Sequence, residues 1–416
     1  MSPECSNPSF LPGPPLDRTT WEGWQRWCQT RKDFVPAPVL TAEEFARKSR
    51  RQKRLYNLYR IATHSSLPIE ATPMSESVAN AVLARVEEGA FSHKAGTRGG
   101  IMVNGDGAQG KTETVCEAMA LFMEEWLDLH NYMNPDAMPG TRDLVAPVAY
   151  VRCPVKATPI ATCQRILDFY GEDYKGMRLE DLIRTVKTAI IEHATKALVI
   201  DDITRLKLHR EADQDVLDLI REMMSMPVTL VLVGVGIPTS GLLREGRRDP
   251  KTGEWIYPPV KDRGRSPNDH AASQHERRFQ VVDLGPFRYG TAKEMEAWIT
   301  HLRGLEGHMR LLSDTNGMLT DGDMPEYLFR RTGGIVGVLE KLIQRGLRLA
   351  IEDGSERLTK GLLNQFTVTP GDMPDLDAAS GEQPAIPPHK ASAKKRPRRR
   401  DTVFDDVGPE AAGSAG

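Results

Sequence analysis

The sequence predicts an α/β fold, a parallel β-sheet covered by helices and followed by an all-α C-terminal part. Three observations carry this. Short apolar segments alternate with helical stripes from about residue 97 to Phe287, the pattern of parallel strands joined by crossover helices. One connection reads Gly105-Asp106-Gly107-Ala108-Gln109-Gly110-Lys111-Thr112, a glycine-rich loop between an apolar strand and a periodic helix. After Phe287 the strand pattern stops and only helical stripes remain.

The 416 residues are enough for two to three domains. With 55 Lys+Arg against 57 Asp+Glu the net charge is −2, which excludes a wholly basic nucleic-acid coat and confines any DNA contact to local patches. The five cysteines have no paired spacing, so neither a disulfide framework nor a zinc site is expected, and a reducing cytosol suits them. The longest apolar stretch, Val228 to Ile237, has ten residues, half of what a membrane helix needs. The proline-rich N-terminus has no apolar h-region of a signal peptide. A soluble, cytoplasmic protein with no membrane contact is the expectation.

Residues 1–20 are rich in proline and small polar residues and predict a disordered segment. Residues 21–70 predict a helical region for partner or DNA contact. There Trp21, Trp24 and Trp27 recur at helical spacing, suited to packing against the main domain. Thr41 and Glu44 form a capping-box pattern, opening a helix through Phe45, Leu55 and Tyr59. Arg47, Lys48, Arg50, Arg51, Lys53 and Arg54 place six cations in eight residues, either a solvated face or a phosphate-binding one.

Residues 71–287 form the expected α/β nucleotide-binding domain. Its strands are Gly100–Asn104, Pro147–Cys153, Ala197–Asp201, Val228–Gly234 and Phe279–Leu284, with helices over Thr112–Leu129, Leu179–His193 and Ala212–Met224. The fourth strand is apolar throughout, as a strand covered on both faces should be. Between strands four and five, Arg244 to His270 holds seven cations and five acids with Trp255 and Tyr257, a solvated loop or a DNA-channel lining. Residues 288–368 predict a helical lid with helices Ala292–Leu302, Pro325–Arg331, Ile335–Ile351 and Leu358–Phe366. Residues 369–416 predict a disordered tail with the basic run Lys394–Arg400.

The loop Gly105–Thr112 fits GxxxxGK[ST]. Its glycines let backbone N–H groups curl around phosphate oxygens, and the following helix adds its positive end. Lys111 would reach the β- and γ-phosphates of ATP, and the Thr112 hydroxyl a Mg²⁺ ion. The strand Ala197-Leu198-Val199-Ile200-Asp201 followed by Asp202 has the form of a Walker B element. Asp201 would hold Mg²⁺ through water, and Asp202 would orient and activate the attacking water. Glu276-Arg277-Arg278-Phe279 precedes the fifth strand. An arginine there can stabilise charge on a neighbouring subunit's γ-phosphate, and the spacing does not separate Arg277 from Arg278.

Together with the strand Leu230–Gly236 and the turn Thr332–Gly337, these motifs resemble AAA+ ATPases of the TniB/TnsC transposition-regulator group, from about residue 55 to residue 366. The resemblance implies an AAA+ P-loop core with a helical lid and an ATP- and Mg²⁺-dependent homo-oligomer, ring or filament, on double-stranded DNA without sequence preference. It also implies recruitment of a transposase, with a target-selector protein as a further partner, and slow, assembly-stimulated hydrolysis. Two positions depart from the AAA+ pattern. The fourth strand ends Gly234-Val235-Gly236 without a polar side chain, and Gly337 stands where origin-initiator relatives carry a sensor arginine. A P-loop signalling switch of the STAND type without DNA binding, and a replication-initiator or helicase-loader ATPase, are the alternative readings.

Overall fold

The computed structural model describes residues 16–68, 70–94, 96–136, 144–154, 158–203, 214–237 and 278–365, two short strands at 247–248 and 255–256, and the single positions 10, 13 and 367. Most of the expected disordered ends, Arg277, and the 244–270 insert apart from its two strands lie outside the described residues.

Five strands, β1 (Gly100–Asn104), β2 (Val148–Arg152), β3 (Ala197–Asp201), β4 (Thr229–Gly234) and β7 (Phe279–Asp283), form one parallel sheet in the order β2-β3-β4-β1-β7. The two-residue strands β5 (Arg247–Arg248) and β6 (Trp255–Ile256) pair antiparallel within the insert. All five sheet strands fall within one residue of their predicted bounds. β1, β3 and β4 are buried along their whole length, which is why they read as continuous apolar runs.

Around the sheet lie α4 (Pro73–Ala90), α5 (Lys111–Met133), α6 (Pro159–Tyr170), α7 (Leu179–Glu192) and α8 (Gln214–Met224). The helices expected to form the lid are α9 (Ala292–His308), α10 (Met324–Thr332), α11 (Val336–Glu352) and α12 (Lys360–Leu363). It has its own core around Phe287, Trp298, Leu302, Leu342 and Leu347. The buried indole N–H of Trp298 donates to the Pro325 carbonyl at 2.9 Å. Among the described residues no helix is long and apolar enough to cross a membrane.

The N-terminal region divides between the two bodies. Its helices are α1 (Trp21–Thr30), α2 (Ala42–Ala46) and α3 (Arg50–Ser65). Trp24 is buried, stacks on Tyr150 of β2 with ring centroids 5.7 Å apart, and donates to Met123 Sδ at 3.2 Å. The tryptophan stripe therefore packs on the sheet domain. The single helix expected through Phe45, Leu55 and Tyr59 is instead two. Ser49 accepts from Gln52 N and Gln52 caps it in return, so a second capping box ends one helix and starts the next. Asp17 to Thr20, inside the segment expected to be disordered, cap α1: Thr20 Oγ1 accepts from Gly23 N at 3.2 Å.

α3 docks on the lid. Arg60 is fully buried and pairs bidentately with Glu356 at 2.7 and 3.0 Å. His64 Nε2 accepts from the backbone N–H of Arg310 at 2.8 Å. Burial first, then the nearby Arg60 and Arg310 charges, push the His64 imidazole down to about 3. The unfolded chain takes up this proton below about pH 6.5, whereas the folded chain does so only near 3. The stability His64 contributes is thus fully present above pH 6.5 and lost as pH falls from 6.5 toward 3. Thermal midpoints across that window are expected to fall more steeply for the wild type than for His64→Gln; parallel curves would contradict the assignment.

Candidate nucleotide-binding site

β1 ends at Asn104 and α5 begins at Lys111, so the glycine-rich loop leaves the carboxyl edge of the sheet and delivers its N–H groups to a helix start. The first N–H groups of a helix have no intrahelical acceptor. Gly110 takes the left-handed conformation at φ 83°, and Ala108 does so at φ 60°. Gln109 holds the loop closed, its side-chain oxygen accepting from Asp106 N at 3.0 Å. Gly105 passes under Leu284, whose carbonyl oxygen would lie 2.4 Å from any Cβ there. On the other side the loop is open: a Cβ on Gly107 or Gly110 would meet nothing within 4 Å. This cradle suits a phosphate chain.

Lys111 is buried, and its ammonium donates to the Asp106 carbonyl at 2.6 Å. Burial lowers its pKa, opposed by the carboxylates of Asp201, Asp106 and Asp202. The Thr112 hydroxyl donates to Asp201 Oδ2 at 2.8 Å, and so does the buried Tyr150 hydroxyl, also at 2.8 Å. The other Asp201 oxygen accepts from Asp202 N at 2.8 Å. Burial, then the Asp201 charge, raise the Tyr150 phenol so that it stays a donor. Thr112 and Asp201 present two hard oxygen donors side by side, which fits Mg²⁺, an ion bound through one or two protein oxygens with the rest from waters and phosphates. Among the described residues no group of three or more His, Cys, Asp or Glu side chains could hold a metal by itself.

The lid touches the loop directly. Gly337 N at the start of α11 donates to the Ala108 carbonyl at 2.9 Å. The left-handed pair Gly333 and Gly334 turns the chain into this contact, and Phe287 N donates to Gly334 O at 2.9 Å. Where an arginine was the alternative, a bare backbone fits because a Cβ at 337 would lie 2.7 Å from Ala108 O. Gly337→Ala is therefore expected to push the lid off the loop. Faster amide exchange at the start of α11, with the sheet domain unchanged, checks this; unaltered exchange would show that the contact is dispensable.

Residues 93–237 match the AAA domain family. No curated protein matches the chain. Among solved structures it is similar to the Aeropyrum pernix ORC1 protein in complex with DNA, at 13% identity and a TM-score of 0.45 over 73% of this chain and 68% of that one. It is also similar to the Aeropyrum pernix ORC2 protein, at 14% identity and a TM-score of 0.43 over 71% and 68%. Domain III of the Thermotoga maritima replication initiation protein DnaA shares 13% identity at a TM-score of 0.36 over 73% and 95%.

The sheet domain brings together Gly105 to Thr112, Asp201 and Asp202, all foreseen from the motifs. Arg278 is elsewhere: it stands at the start of β7, on the edge of the sheet away from its own loop. Three participants were missed. Tyr150 is the one hydroxyl in the buried part of β2, whose other residues before Arg152 are apolar, a readable signal. Asn104 ends β1, donating to Asp283 Oδ1 at 2.6 Å and accepting from Ile237 N at 2.9 Å. It thereby supplies a polar side chain beside the end of β4, which lacks one. Arg18 pairs bidentately with Glu113, next to Thr112, at 2.8 and 2.9 Å, and lies over the rings of Trp27 and Tyr150.

Proposed function

We propose that this chain binds and slowly hydrolyses ATP, assembles with further copies on double-stranded DNA, and in that state recruits or activates a transposase at a target site. The observation that carries the nucleotide part is the bond between Thr112 and Asp201 beside the buried Lys111 ammonium. In this reading the N–H groups of Gly107 to Thr112 bind the phosphates and Lys111 spans the β- and γ-phosphates. Thr112 and Asp201 hold the Mg²⁺ site, and Asp202 orients the attacking water and accepts its proton. The ion, when bound, neutralises phosphate charge. Arg277 or Arg278 acts on the nucleotide of a neighbouring copy. The functional units are a helical region 21–70, a nucleotide domain 71–287, a lid 288–368 and a tail 369–416 with a basic run.

The DNA part is supported by the basic run from the end of α2 into α3. Arg47, Arg50, Arg51 and Arg54 are exposed, and of these only Arg47 has an acidic partner among the described residues, Glu43 at 3.8 Å. The transposition part is supported by the motif resemblance. A few phosphate contacts per copy bind weakly at physiological salt, and assembly multiplies them. DNA binding is therefore expected to require ATP, to ignore sequence and to fall steeply with salt. Sedimentation with duplex DNA, comparing ADP with a non-hydrolysable ATP analogue, tests this. Tight binding without nucleotide, or none in any nucleotide state, would overturn it and favour the signalling switch.

A further inference from the structure

Arg85 of α4, Arg98 before β1 and Arg278 before β7 line one cavity of about 350 Å³ at the amino edge of the sheet. Thr97 and Gln280 add polar side chains, and Gly99 leaves its wall bare. A Cβ at 99 would lie 2.9 Å from Arg85 Nη1 and 3.5 Å from the Arg278 carbonyl. The five-residue β1 separates this cavity from the glycine-rich loop, about 16 Å at the usual rise per residue. It is therefore distinct from the site that this chain offers its own nucleotide.

The charges around the cavity do not balance. Glu88 pairs with Arg85 at 2.8 Å and is itself mostly exposed. Neither Arg98 nor Arg278 has an acidic partner among the described residues. Arg98 Nη1 and Arg85 Nε are buried without a hydrogen-bond acceptor. After burial, the Arg98 charge is the second cause lowering the pKa of Lys196 at the start of β3, so that guanidinium is felt beyond its own position. Like charges held together with unmet donors cost free energy unless an anion offsets them. Forked guanidinium groups match the geometry of phosphate oxygens.

We infer that Arg85, Arg98 and Arg278 form a receptor for a phosphate group at the edge of the sheet opposite the glycine-rich loop. All three arginines line it, with Arg278 at its exposed rim. The phosphate comes from solution or from a nucleotide seated in a second copy. The second source rests on the assembly proposed above; the first does not.

The test is a calorimetric titration of the full chain with inorganic phosphate, with ADP in the loop site; the γ-phosphate position that ADP leaves open does not depend on Arg98, so the uptake that the arginine variants lose is the cavity's. One phosphate per chain is expected, weakened at least tenfold in Arg98→Gln and in Arg278→Gln, and unchanged in Arg348→Gln on the exposed side of the lid. Arg278 is exposed, so its variant keeps the measurement valid even where Arg98→Gln folds poorly. No phosphate uptake by the ADP-bound wild type, or equal uptake by the folded Arg278→Gln and Arg98→Gln proteins, would overturn the inference. Absence of ADP binding in the same experiment would instead count against the loop site. Assembly with an ATP analogue then separates the sources. Inhibition by phosphate in the range where it binds assigns the cavity to a neighbour's nucleotide. Binding with undiminished assembly assigns it to free phosphate.

Discussion

Lys111→Ala is expected to abolish ATP binding and leave the fold intact. The Lys111 ammonium is buried at the start of α5 and, among the described residues, donates only to the Asp106 carbonyl. With its pKa lowered by burial, it is a charge held where water cannot solvate it fully. Removing it costs the folded chain one hydrogen bond and relieves a desolvation penalty, so the thermal midpoint should move little. Binding is a different matter. Charge-assisted bonds contribute about 1.5–3 kcal/mol each, and Lys111 is assigned two phosphates. Loss of about 3 kcal/mol or more weakens binding more than about a hundredfold. Calorimetry with ATP, beside circular dichroism of the same sample, measures both halves. Wild-type affinity in the variant would remove the loop from the nucleotide site altogether.

What was legible in the sequence follows from the range of the interactions involved. The strands were legible because β1, β3 and β4 are covered on both faces and so carry uninterrupted apolar runs. The loop was legible because a phosphate cradle is local, built from eight consecutive residues. Helices α4 and α6 were overlooked, although each announces itself locally. Thr72-Pro73 and Thr158-Pro159 both place a capping threonine before a first-turn proline. The break at Ser49 was equally available in its capping box with Gln52. The lid contact was not. That the backbone N–H of Gly337 reaches the Ala108 carbonyl depends on two residues far apart in the chain, and no periodicity encodes it. The same holds for Arg18, drawn onto Glu113 from a segment whose composition predicts no order.

Asp202→Asn is expected to keep nucleotide and Mg²⁺ bound while nearly stopping hydrolysis, whereas Asp201→Asn weakens Mg²⁺-dependent binding. The two carboxylates are adjacent in sequence but differently placed. Asp201 is buried, and its oxygens accept from Thr112, Tyr150 and the Asp202 N–H; an amide there would turn a donor toward two hydroxyls and offer less charge to the ion. Asp202 is half-buried and lies past the strand end in the left-handed region at φ 57°. Asparagine occupies that region as readily as aspartate, so the backbone stays in place and only proton acceptance is lost. General-base catalysis supplies about a hundredfold to ten-thousandfold, and the turnover of Asp202→Asn should fall by that much with ATP affinity within about twofold. The same φ sets what a longer carboxylate would meet at this position. Glutamate visits the left-handed region less readily, at a cost of roughly 1–2 kcal/mol for an ordinary side chain. Asp202→Glu is therefore expected to lower the thermal midpoint without accelerating turnover. Turnover and ATP affinity measured on the three variants decide the roles: equal effects from Asp201→Asn and Asp202→Asn would mean that the carboxylates share one task, and faster hydrolysis in Asp202→Glu would mean that reach, not backbone conformation, limits this site.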